Sequence, residues 1–230
     1  MMKNIIPGNA RTLTLAALAA VLMLSGCALP KVHLDYDQRA AKIKTVAILG
    51  PEVDAYEVHF GAREKHDDWT GQASRNLVDA ATKELSARGF SVTLIPRKGK
   101  DEETVEEVYG LFDSIAWSYR AHVTPDNSSW RFPHKMDSLD YSVGPLDDLL
   151  AANHAEALLL IDGFVQRSDN PLMQRGSLLE LALADRSGTL LWFDRRFKPY
   201  QAFTSWDPTD PDHANVMVRD LFKSLPEVKR

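Results

Sequence analysis

Two apolar, β-branched runs, IKTVAILGP (Ile43–Pro51) and FSVTLI (Phe90–Ile95), flank a segment with helical spacing. In that segment, QASRNLVDAATKELSARG, Ala73, Leu77, Ala81 and Leu85 recur every four residues, and Gly89 stands where a helix ends in a left-handed residue. Strand, helix and strand in this order form a βαβ unit, with parallel strands and a right-handed crossover. The pattern points to an α/β fold.

The rest of the chain extends this reading. Glu52 to Gly71 reads as a long polar loop. Asp101 opens a second helix with Glu102 and Glu103 in its first turn, where carboxylates favour the exposed N–H groups. Its apolar face is Val105, Val108, Tyr109, Phe112, Ile115, Ala116 and Tyr119. His122 to Val143 is again polar and irregular, and a loop of that length is usually functional or mobile. A short helix from Gly144 to about Asn153 turns Leu146, Leu149 and Leu150 inward, and Ala157 to Val165 reads as a central strand. Ser177–Ala184 and Thr189–Phe197 form a hairpin whose turn uses Gly188 at positive φ. The last helix has Asp210 as N-cap, Pro211 at its first position, and a stripe of Ala214, Met217, Leu221, Phe222 and Leu225 before Pro226. The expectation is a single α/β domain over 43–226: a mixed sheet of about five strands with a parallel βαβ unit, a C-terminal antiparallel hairpin and about three packed helices.

Cys27 is the chain's one cysteine, so the domain is stable without disulfides. Ahead of it lie a polar stretch with Lys3 and Arg11, then an apolar run from Leu13 to Leu24 too short to span a bilayer as a stable helix. Leu24-Ser25-Gly26-Cys27 resembles the lipobox of bacterial lipoproteins. The resemblance implies a signal peptide over 1–26, a diacylglyceryl thioether on Cys27 and a tether from 27 to 42 spanning roughly 20 Å if flexible. Two acyl chains contribute more than ~20 kcal/mol at about 0.8 kcal/mol per buried methylene, an effectively permanent anchor. Ala28, by resemblance to sorted lipoproteins, implies the periplasmic face of the outer membrane. Loss of Lys3 and Arg11 leaves 25 basic against 32 acidic side chains, a net −7, which argues against nucleic acid as a partner.

Three stretches carry a further resemblance: VAILGP, ELSARGFSV and LALADRSGTLLW. Together they look like the periplasmic domain shared by curli-secretion-channel lipoproteins, penicillin-binding-protein-activator lipoproteins and the amino-terminal domain of TolB. The resemblance implies a non-enzymatic accessory or scaffold for an envelope assembly or transport machine, with an envelope protein partner and no cofactor. It leaves open a homo-oligomeric export channel, although the polar segments are too charged and proline-broken for a lipid-facing wall.

Candidate chemistry is sparse. His59, His66 and Asp67 or Asp68 could hold a divalent cation, which would make the chain a loop-based metal-dependent hydrolase, but their spacing matches no strong metal motif. Ser74 and Ser187 lie in no nucleophile motif. Asp162-Gly163 follows a buried run, where α/β proteins place working carboxylates, and equally marks a bulge or strand end. Trp192 and Trp117 read as packing residues. Trp69, Trp130 and Trp206 fall in polar stretches and are the candidate anchors for a protein partner.

Overall fold

In the computed structural model, which describes residues 32–59, 62–122, 138–167, 176–198 and 207–228, a seven-stranded mixed sheet forms the middle layer. β1 (Thr45–Leu49) pairs in parallel with β4 (Ser91–Ile95) on one side and with the start of β5 (Ala157–Arg167) on the other. β2 (Glu52–His59) continues the line of β1 beside the later half of β5. Ile48 stands opposite Leu159 and Glu52 opposite Asp162, so the β1–β2 line holds one residue more than β5 does between these points. Gly50-Pro51 absorbs it as a bulge. β3 (Ala62–Lys65) folds back on β2, and β6 (Gly176–Asp185) and β7 (Leu190–Lys198) complete the sheet as an antiparallel hairpin beyond β5.

Alternate strand residues feed two separate cores, as the period of two requires. Val46, Ile48, Leu159, Leu181 and Trp192 face α2 (Asp67–Ala87) and α5 (Pro211–Phe222), whose buried stripes are those the spacing predicts. Ala47, Leu49, Leu158, Ala182 and Phe193 face α3 (Glu102–His122) and α4 (Asp147–Ala152). Asp210 caps α5, its side chain accepting from the N–H groups of Asp212 and His213. Gly188 turns the hairpin at φ 80°.

The described residues form the expected α/β domain, a mixed sheet with a parallel βαβ unit and a C-terminal antiparallel hairpin, filled out to seven strands and five helices. The structure corrects other expectations. Glu52 to Gly71 is not a loop: it supplies β2, β3 and the first turn of α2. Only Val53, Ala55 and Val58 of β2 are buried, and the alternation slips by one residue near its end, which hides the strand. The part of the expected tether from residue 32 onward packs on the body. Val32 bridges to Trp192, α1 (Tyr36–Ala40) buries Tyr36 and Ala40, and the Tyr36 hydroxyl donates to the Pro226 carbonyl at 3.0 Å. Trp117 is not a packing residue; it is 60% exposed on α3. Asp162-Gly163 ends no strand, since β5 runs through it, and a Cβ on Gly163 would lie 2.1 Å from the Leu178 carbonyl oxygen.

Candidate functional site

Strand register places Glu52, Asp162, Glu180 and Arg195 side by side across β2, β5, β6 and β7. Leu160, Ala182 and Phe193, each two residues away in its strand, pack toward α3, so the charged row points the same way. The next row on this face is Asp54, Phe164, Leu178 and Phe197. Above the two rows opens a cleft of about 550 Å³, lined among the described residues by Arg63, Asp113, Arg120, Asp162, Phe164 and Phe197, among others. A second hollow of about 310 Å³ adjoins it, sharing Asp54, Asp113 and Asp162 and reaching Tyr109 on α3.

Glu180 is the most constrained group of the row. It has no solvent exposure, and Arg120, reaching down from α3, donates to its Oε2. Its Oε1 has no hydrogen-bond partner among the described residues. Burial pushes the Glu180 carboxyl up to about 7, against the pull of Arg120 and with the push of Asp162. Burial likewise raises Asp162 to about 6, opposed by the Gly163 N–H and reinforced by Glu52. Burial thus raises both neighbouring carboxyls toward neutral pH; Asp162 borders the cleft, whereas Glu180 is sealed beneath it.

Around the second hollow, Arg97 ties β2 to α3. Its guanidinium lies 3.0 Å from Glu52 and 2.8 Å from Glu106 and stacks over the Tyr109 ring at 5.3 Å. The ion pair with Arg97 holds the Glu106 carboxyl below its ordinary range. Tyr109 turns its hydroxyl to the Gly50 carbonyl at 2.9 Å, fastening α3 to the β1–β2 bulge.

Of the residues singled out in the sequence, Asp162 lines the cleft, and the others that the structure describes lie elsewhere. His59 on β2 and His66, at the N-cap of α2, come together with Nε2 atoms 2.9 and 3.0 Å from the two oxygens of Glu57. Asp67 opens α2, and among the described residues no three His, Cys, Asp or Glu side chains converge as metal ligands. Trp69 is half-buried: it stacks on His66 at 4.1 Å and carries the Arg167 guanidinium 4.3 Å from its ring centre, while Arg167 pairs with Asp207 at 3.1 Å. It clamps the start of α2 to the end of β5 and the approach to α5. Trp130 and Trp206 lie outside the described residues, as does Cys27. Ser74 sits on α2, across the sheet from the cleft, and Ser187 is bonded into the hairpin turn with Asp185 at 2.6 Å and Thr189 at 2.9 Å. Sequence reading missed Arg120, Glu180 and Phe197. The visible signal was a carboxylate inside the apolar run SLLELALA, since glutamate is rarely fully buried without a partner.

No protein-family model matches the chain, and no curated protein matches it. Among solved structures it is similar to the PelC dodecamer from Paraburkholderia phytofirmans, with 10% identity and a TM-score of 0.39 over 88% of this chain and 96% of that one. It is similar also to lipoprotein GNA1162 from Neisseria meningitidis, with 12% identity and a TM-score of 0.38 over 79% of this chain and 97% of that one. A third is the hypothetical protein CT253 from Chlamydia trachomatis, at 11% identity and a TM-score of 0.34 over 79% and 93%. Likenesses this remote carry no argument about activity or assembly. The α/β architecture rests on this chain's own strand order, and no helix among the described residues is long and apolar enough to cross a membrane.

Proposed function

We propose that the chain is a lipid-anchored, non-enzymatic accessory of the bacterial cell envelope, held by Cys27 at the periplasmic face of the outer membrane, and that it offers the cleft over β5–β7 to a protein partner. One observation carries this reading: Val32, the first described residue after the proposed anchor, and the cleft lie toward opposite ends of a single strand. Val32, five residues after Cys27, bridges to Trp192 near the start of β7. Phe197, on the cleft floor and 51% exposed, lies five residues further along that strand, about 17 Å away at 3.4 Å per residue. A body tethered at one end and open at the other suits a protein that holds something above a membrane. The cleft suits a protein partner because an aromatic shelf, Phe164 and Phe197, meets guanidinium and carboxylate groups on the rim.

Two measurements test it. Mass spectrometry of the native protein should show a polypeptide that begins at Cys27 and carries a diacylglyceryl thioether; an intact 1–26 segment discards the anchor. A photo-reactive residue at Phe197 should give one discrete adduct in cells, lost when Phe164→Glu blocks the shelf in a variant that still melts cooperatively. The same probe at Leu94, on the far edge strand β4, should give none. Equal adducts from both positions discard the cleft as the docking site. An adduct of twice the chain's own mass assigns the site to self-association, the channel-like alternative.

A further inference from the structure

The link between the proposed anchor and the first packed residues is short. Only Ala28 to Lys31 separate Cys27 from Val32, and five Cα steps at 3.3–3.6 Å reach about 18 Å at full extension. Val32 is itself held by the bridge to Trp192, and the next N–H, that of His33, donates to the Leu191 carbonyl at 2.9 Å. The following residues are pinned by the Tyr36–Pro226 hydrogen bond and by the Arg39–Asp185 ion pair at 2.6 Å. The turn between these fixed points carries Leu34, which is 81% exposed, the most exposed large apolar side chain among the described residues.

We infer that the turn around Leu34, at the β7 edge, is the surface on which the body rests against the lipid bilayer, with the Leu34 side chain entering the interfacial layer. The inference rests on the proposed acylation of Cys27, from which the short link follows. A headgroup layer accounts for roughly 5–8 Å on each side of a bilayer, so a link of about 18 Å at most cannot lift the turn far from it. The contact is apolar rather than electrostatic. Asp35 and Asp37 follow Leu34, His33 before it accepts the Asp35 N–H at Nδ1, and Arg39 is already engaged by Asp185, so the described residues of this turn offer an anionic surface no unengaged guanidinium or ammonium. Contact should therefore persist at high salt.

The test uses the full acylated protein in vesicles of phosphatidylethanolamine with a minority of phosphatidylglycerol. Acylation consumes the only native thiol, so Leu34→Cys takes an environment-sensitive fluorophore selectively, at a side chain whose exposure makes the change harmless to folding. Lipids brominated near the acyl carbonyl should at least halve the emission at position 34, in low and high salt alike, and leave a label at Leu94→Cys unchanged. Equal quenching at both positions overturns the inference, and so does a label at 34 that is shielded from water yet not quenched, which would mean a second protein covers the turn. Mass measurement on the same sample separates the two failures: acylated protein without quenching overturns this inference alone, whereas an unmodified Cys27 overturns the anchor as well.

Discussion

Arg120, near the end of α3, donates a charge-assisted hydrogen bond to Glu180, a carboxylate with no solvent exposure in the middle of β6. The pair joins helix to sheet where the apolar core gives way to the cleft. Removing one member of a buried pair strands the other, and the loss is commonly 3–5 kcal/mol. Arg120→Ala should therefore cost ~3 kcal/mol in urea unfolding near pH 8. The cost should shrink near pH 5, where a protonated Glu180 no longer needs a cation. An identical cost at both pH values would show that Glu180 is not the ionised partner.

The pH dependence of the native protein has a definite sign. Folded Asp162 and Glu180 keep their protons up to about 6 and about 7, above their ordinary values of 3.8 and 4.5. Across that interval the native state binds more protons than the unfolded chain, so stability falls as pH rises from about 4 to about 7 and then levels off. Carboxyls held low, such as Glu106 and Asp220, act in the opposite sense, and only below the ordinary carboxylate range. Thermal unfolding should thus give a higher Tm at pH 5.5 than at pH 8. Asp162→Asn and Glu180→Gln should each flatten the slope, and a slope unchanged in both would remove this account.

Trp69 tests the shift from partner anchor to structural clamp. Stacked on His66 and covered by Arg167, it joins three elements. Trp69→Ala should cost about 2 kcal/mol, less than a fully buried aromatic because the ring is half-exposed. Arg167→Ala should cost about 1 kcal/mol through the lost cation–π contact and ion pair. A double variant whose loss is smaller than the two single losses combined would demonstrate the coupling in a denaturant series. Unchanged stability in Trp69→Ala would return the residue to the list of docking candidates.

Two glycines should respond in opposite directions to alanine. At Gly188 the backbone is at φ 80° and a Cβ would fall 1.6 Å from the Gly144 carbonyl oxygen, so Gly188→Ala must displace the hairpin turn or the entry to α4. A loss above ~3 kcal/mol is expected from clash and strain combined. Gly110 lies within α3, and a Cβ there meets nothing within 4 Å, so Gly110→Ala should raise stability by about 0.5–1 kcal/mol. Guanidinium unfolding of the two variants side by side decides both.

The elements legible in the chain are those whose burial repeats at a single period. Ala73, Leu77, Ala81 and Leu85 announce α2, and Val105 through Tyr119 announce α3, because one helical face meets one core. Gly188 and the alternating residues around it announce the β6–β7 hairpin for the same local reason. β2 escaped because its alternation is shallow and slips by one residue, and because its partner β5 lies about 110 residues away, where only the register shows what Val53 and Ala55 pack against.

The candidate site depended on that long-range pairing throughout. Glu52, Asp162, Glu180 and Arg195 come from four separated stretches, and no local pattern tells that they share a row or that Arg120 descends on them. Local sequence dictates where a backbone turns, which face of a helix is greasy and where a thiol follows small residues, because those preferences are settled within a few bonds. Which charges end up adjacent, and how far water is kept from them, is settled by contacts between distant segments. Desolvation and Coulomb energy depend on spatial distance, so the protonation of Glu180 and the opening of the cleft exist only once the sheet has closed.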